Sequence, residues 1–145
     1  MAEHVLNEEA ISRLIYCPRM YDAYKGLIWQ VVFEFPKNTC ESVVWRKYAA
    51  DDEDVHYLGG KVEEQKKLRR PDVEYVGFIS ANVGDVRSIK TANGHGFTVM
   101  HEPNEGIHHV HICYDLTCER HLTKNDKNEL KLLLRKTFDD EATTR

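Results

Sequence analysis

At 145 residues the chain has the size of one domain, and 41% hydrophobic with 30% charged residues is the balance of a globular protein, not a disordered one. A net charge of −4 and a pI near 6.1 weigh against a dedicated duplex-DNA binder, whose affinity comes from Lys and Arg neutralising phosphates. The longest uncharged apolar-leaning run, Gly26 to Phe33 (GLIWQVVF), is too short to span a bilayer, and MAEHVLNEEA lacks the basic and apolar regions of a secretory signal. The expected location is therefore the cytoplasm.

In chain order, Asn7 is placed to cap a short helix carrying Ile11, Leu14 and Ile15 on one face and stopping before Pro18. Leu27 to Phe35 is β-branched and aromatic and reads as a strand. Pro36 to Thr39 reads as a turn, and Glu41 to Tyr48 as the returning strand of a hairpin. Asp51 to Arg70 is the longest predicted helix, acidic in its first turn and basic in its last, with Gly59-Gly60 as a weak point that would divide it. Its basic end, within Lys61 to Arg70 (KVEEQKKLRR), reads as a solvated helix face.

Val73 to Ala81 follows as a strand, Asn82 to Ala92 as a short helix, and Phe97 to His101 and Ile107 to Tyr114 as two strands joined by EPNEG. Thr123 and Asp126 stand at capping-box spacing before a last helix to Phe138, with Leu130, Leu133, Leu134 and Phe138 on its buried side. The order αββαβαββα predicts a single α+β domain over residues 1–145: a mainly antiparallel sheet of about five strands with helices packed on it. Its short ends, about 1–6 and 139–145, are expected to be flexible.

Within Gly106 to Asp115 (GIHHVHICYD) an apolar strand carries His108, His109 and His111. Strand alternation puts Val110 and Ile112 on the core face, so His109, His111 and Cys113 share the opposite one. What joins them depends on the hairpin register. If His101 pairs with Gly106, then Phe97 and Val99 join the core face, and hydrophobic patterning favours this. If His101 pairs with Ile107, then His95 and His101 fall beside His109 and His111.

Two imidazoles at i and i+2 suit a divalent metal (Zn, Mn or Mg), with His109, His111, Cys113 and His101 as candidate ligands. They equally suit an acid/base pair on a phosphodiester. A Cys₂His₂ set using Cys118 lacks zinc-site spacing. The cysteines form no C-x-x-C pair and predict no disulfide framework; Cys17 and Cys40 read as small buried groups.

The triplet His109-Val110-His111 resembles the histidine–hydrophobic–histidine strand of the HUH endonucleases. In that family the pair binds a divalent metal that orients the scissile phosphate, and a tyrosine on a later helix attacks it. The resemblance covers this strand, with a compatible size and class, and stops at the nucleophile: no tyrosine follows Tyr114. A metal-free ribonuclease mechanism needs no such tyrosine. His109 and His111 would be catalytic there, with Arg46 and Arg87 as candidates for stabilising phosphate charge. The leading expectation is a non-enzymatic regulatory or protein-interaction module, with a protein partner or a second copy at its sheet face or hairpin. The alternative is a nuclease or phosphodiesterase using His109 and His111 on single-stranded nucleic acid.

Overall fold

A computed structural model describes residues 1–29, 32–36, 40–117 and 121–145. The expectations that touch Gln30, Val31, Lys37 to Thr39 and Cys118 lie outside the described residues. The chain is α+β, as predicted, but its order is ββββαβαββαβ in place of αββαβαββα, and its main sheet has six strands, not about five. β1 (Ala10–Cys17), β2 (Tyr21–Asp22), β3 (Leu27–Ile28) and β4 (Cys40–Trp45) precede α1 (Asp52–Lys67). β5 (Glu74–Asn82), α2 (Val83–Arg87), β6 (Phe97–His101), β7 (His109–Tyr114), α3 (Lys124–Thr137) and β8 (Thr143–Thr144) follow. One six-stranded sheet runs β6-β7-β4-β1-β5-β8 with every described pairing antiparallel, and β2 and β3 form a separate small hairpin.

Three expectations are corrected. The segment read as a helix over Ile11, Leu14 and Ile15 is β1, an inner strand of the sheet. Ile11 and Ile15 enter one core cluster while Leu14 and Tyr16 pack on the other face. A strand covered on both sides carries apolar residues at positions that also satisfy helical spacing, and the sheet supplies the partners that decide between them. Second, Leu27 and Ile28 pair with Tyr21 and Asp22, whereas β4 pairs with β1 and β7. Val32, Phe33 and Phe35 leave the ladder to enter the main core, Phe33 against the Phe138 ring and Phe35 stacked on Phe97 and Tyr114. Third, Cys40 is disulfide-bonded to Cys113 instead of lying in the core as a free thiol.

Helices cover the two sheet faces unequally. On one face Leu130, Leu134 and Phe138, with Val83 and Val86, close the main core over Ile11, Val43, Trp45, Ile79, Val110 and Ile112. Thr123 and Asp126 form the capping box expected for α3. On the other face α1 lies over β1 and β5, with Val55 against Val44 and Phe78 and with Val62 near Tyr16 and Tyr75. It leaves β7 and the Cys40–Ser42 end of β4 uncovered there, and that gap positions the site. The chain ends are also engaged: Val5 is in the core, and Thr143 and Thr144 pair with β5.

α1 is one uninterrupted helix through Gly59-Gly60, and the two glycines have opposite reasons for being there. A Cβ on Gly59 would stand 2.3 Å from the buried Tyr75 ring, whereas one on Gly60 would meet only the end of Arg145 at 3.5 Å. Gly59→Ala therefore destabilises the protein by about 1–3 kcal/mol through overpacking. Gly60→Ala stabilises it by about 0.5–1 kcal/mol through helix propensity. Urea unfolding of both variants checks the pair, and equal signs would show that α1 does not seat on Tyr75.

Candidate functional site: a histidine and cation cleft

The hairpin β6–β7 pairs His101 with Val110 and Phe97 with Tyr114. The connection is longer than the favoured register implied, but the residue faces are those it predicted. Val110 and Ile112 are buried with Phe97 and Val99, and His109, His111 and Cys113 turn to the face that α1 leaves open. His101 lies on the core side. Its Nδ1 accepts from Glu3 N–H and its Nε2 meets Ile107 O, so the fold does not bring it to the histidine pair.

β1 and β4 pair only at Ile11–Trp45 and Ser12–Val44 and then part. Arg13 plugs the split. Its Nε donates to Val32 O at 3.1 Å, its Nη1 to Ser42 O at 2.9 Å, and its Nη2 meets Glu41 Oε2 at 2.9 Å. The guanidinium thus satisfies the Ser42 carbonyl of β4 where the two strands have parted, and ties the Val32 carbonyl of the preceding segment to the same point. Glu41 is buried and its Oε1 accepts the N–H groups of Glu34 and Phe35.

Above this split, between α1 and β4–β7, lies a cleft of about 740 Å³, within the size range of small-molecule sites. Leu14, Leu58 and Val62 give it an apolar wall, and Arg13, Ser42, Lys66, Glu105 and His109 give it polar groups. A second cleft of about 680 Å³ shares Arg13, Ser42, Lys66 and Glu105 with it and adds Arg19, Arg70 and His111.

Glu105, from the β6–β7 loop, joins the two histidines. Its Oε2 is 2.6 Å from His111 Nε2 and 3.7 Å from His109 Nδ1, and Ser42 Oγ lies 3.0 Å from that same Nδ1. Both neighbours of His109 sit on Nδ1, so an Nδ1–H tautomer leaves Nε2 as the basic nitrogen. Gly106 makes room for the ring, since a Cβ there would fall 2.9 Å from His109 Cδ2, and its φ of +143° disfavours a side chain. Burial holds His109 below the ordinary imidazole value; Glu105 opposes that shift and His111 adds to it. Burial likewise lowers His108, helped by His109.

The charges are unevenly matched. Glu41 is taken by Arg13, Glu34 by Arg19 and Glu105 by His111. Among the described residues Lys66 and Arg70 have no carboxylate partner; the Lys66 ammonium rests over the Tyr16 ring at 5.1 Å. Burial lowers the Lys66 pKa, and the nearby charges of Arg70 and then Arg13 lower it further. A partly desolvated ammonium beside Arg70 and Arg13 adds to the local positive potential, which Glu41 opposes.

Arg46 and Arg87 line neither cleft. Arg46 ties down the β4–α1 connection through Ala49 O, Ala50 O, Ser12 Oγ and Asp52, and Arg87 bonds Asn7 Oδ1 and Val99 O. Sequence reasoning missed Arg13 by placing it on a helix, and missed Lys66 and Arg70 by taking the basic end of α1 for a solvated face. No protein-family model, curated protein or solved structure matches this chain. No described helix is long and apolar enough to cross a membrane.

Proposed function

We propose that the cleft binds single-stranded RNA and cleaves it without a metal. The observation that carries this reading is Lys66, partly desolvated and without a carboxylate partner among the described residues, lining the same cleft as His109, Glu105 and Ser42. In this scheme His109 Nε2 removes the proton of a ribose 2′-hydroxyl, and the resulting oxyanion attacks the adjacent phosphorus. Lys66 and Arg70 stabilise the pentavalent phosphate, and His111, oriented by Glu105, gives its proton to the departing 5′-oxygen as the P–O bond breaks. The products are a 2′,3′-cyclic phosphate and a free 5′-hydroxyl. RNA is favoured over DNA because its 2′-hydroxyl supplies a nucleophile, and the apolar wall of Leu14, Leu58 and Val62 offers a surface for a base. We place this activity in the cytoplasm.

The test is fluorescence anisotropy of a labelled single-stranded RNA, with its DNA counterpart alongside, over a salt series. The Lys66→Glu/Arg70→Glu variant loses at least 10-fold in RNA affinity. Its log–log salt slope falls by about 0.7 for each phosphate contact removed. Wild-type protein that binds no RNA at low salt, or a variant that binds equally well, would sink the reading.

One separate observation favours a second reading, a protein-interaction module. The β2–β3 hairpin presents Tyr24 fully exposed, with Leu27 and the adjoining Trp29 about half exposed, and exposed aromatics are the usual anchors of a protein contact. That reading gains if the cleft variant changes nothing in the RNA assay.

A further inference from the structure

The Cys40–Cys113 bridge joins residues 73 apart in sequence that face each other across β4 and β7. His111 stands two residues before Cys113, on the same face, and one of its ring nitrogens lies within 4.8 Å of both sulfurs. We propose that, when the disulfide is reduced, Cys40, Cys113 and His111 hold one zinc ion, and that a low-molecular-weight disulfide such as glutathione disulfide expels it.

The donor set is that of zinc: two thiolates and an imidazole, leaving a fourth position for water. Glu105 on His111 Nε2 is the carboxylate partner that orients ligating histidines and raises their basicity. The ladder itself brings the Cys40 and Cys113 Cα atoms to 4.2 Å, so the sulfurs remain neighbours in either redox state. All three side chains are partly exposed, and Cys40 and His111 line the second cleft, which gives both ion and oxidant a way in.

The exchange balances. One thiolate attacks the glutathione disulfide and releases one glutathione thiolate. The second thiolate attacks the mixed disulfide, closes Cys40–Cys113 and releases the other. Two protons neutralise the two glutathiones, and Zn²⁺ leaves with its charge unchanged. Zinc on His111 also withdraws it from proton donation. On the ribonuclease reading the reduced zinc form is thus the inactive one, whereas metal binding itself does not depend on that reading.

The test uses the full chain, reduced, freed of reductant under anaerobic conditions and titrated with Co²⁺ and then Zn²⁺. One Co²⁺ per chain is expected, with a thiolate-to-cobalt charge-transfer band that Zn²⁺ abolishes. One equivalent of glutathione disulfide then releases the zinc, read with a zinc-responsive dye, while Cys40 and Cys113 become protected from alkylation by peptide mapping. Cys40→Ser and Cys113→Ser each lose the band, and His111→Gln weakens zinc binding at least 10-fold. Circular dichroism confirms that each variant is folded. Reduced wild-type protein that takes up no metal overturns the proposal. So do folded cysteine variants that bind as well as wild type, and so does zinc that stays bound as the disulfide re-forms.

Discussion

On the proposed ribonuclease reading, replacing His109 with Ala is expected to lower kcat/KM for single-stranded RNA by about 10²–10⁴-fold, the range for loss of a general base, while leaving RNA affinity within a few-fold. The expected split between rate and binding rests on geometry: His109 meets Ser42 and Glu105, whereas the proposed mechanism assigns the phosphate to Lys66 and Arg70 on the neighbouring wall. The pH profile supplies a second readout. Burial holds His109 below the ordinary imidazole value, so its neutral, active form persists to lower pH than a solvated histidine's. The midpoint of the ascending limb of activity should therefore lie below the ordinary value of about 6.5. A midpoint above about 6.5 would assign the base to another group. Unchanged turnover in His109→Ala would remove the histidine strand from the mechanism.

Glu41→Ala destabilises the fold by about 3–5 kcal/mol, the cost of leaving one member of a buried ion pair without the other. Glu41 carries three obligations: Arg13 at 2.9 Å and the backbone N–H groups of Glu34 and Phe35. The side chains of Arg13 and Glu41 are only 14% and 5% exposed, so little water is available to replace the lost carboxylate. Urea unfolding followed by tryptophan fluorescence measures the loss. Arg13→Met/Glu41→Leu should lose less than Glu41→Ala alone, because no charge is then left stranded. A loss below about 1 kcal/mol for Glu41→Ala would place the pair in the weak, solvated class instead.

The two expectations meet in the same split of the sheet. β1 and β4 part where Arg13, paired with Glu41, bonds the Ser42 carbonyl, and the cleft opens above that point. A variant that collapses or widens the split is therefore expected to disturb RNA affinity without touching a catalytic side chain. Glu41→Gln is the informative intermediate: its amide oxygen still accepts from Glu34 and Phe35, while the charge facing Arg13 is gone.

Sequence by itself determined what depends on local chemistry. The Thr123–Asp126 cap, the polarity of α1, the strands β5 to β7 and the α+β class all follow from spacing and residue type. So does the placing of His109, His111 and Cys113 on the face opposite Val110 and Ile112, because alternation along a strand is independent of its partners. Tertiary structure decided whatever required a neighbour distant in the chain. Ile11, Leu14 and Ile15 fit a helix until β4 and β5 flank them, since an inner strand covered on both faces loses its period-2 signature. Arg46 and Arg87 looked like free cations until their side chains were seen to satisfy backbone carbonyls. Lys66 looked solvated until α1 was set beside β7 and the open Cys40–Ser42 end of β4. Cys40 and Cys113 became partners only through the strand order, which no local pattern encodes because it arises from long-range packing.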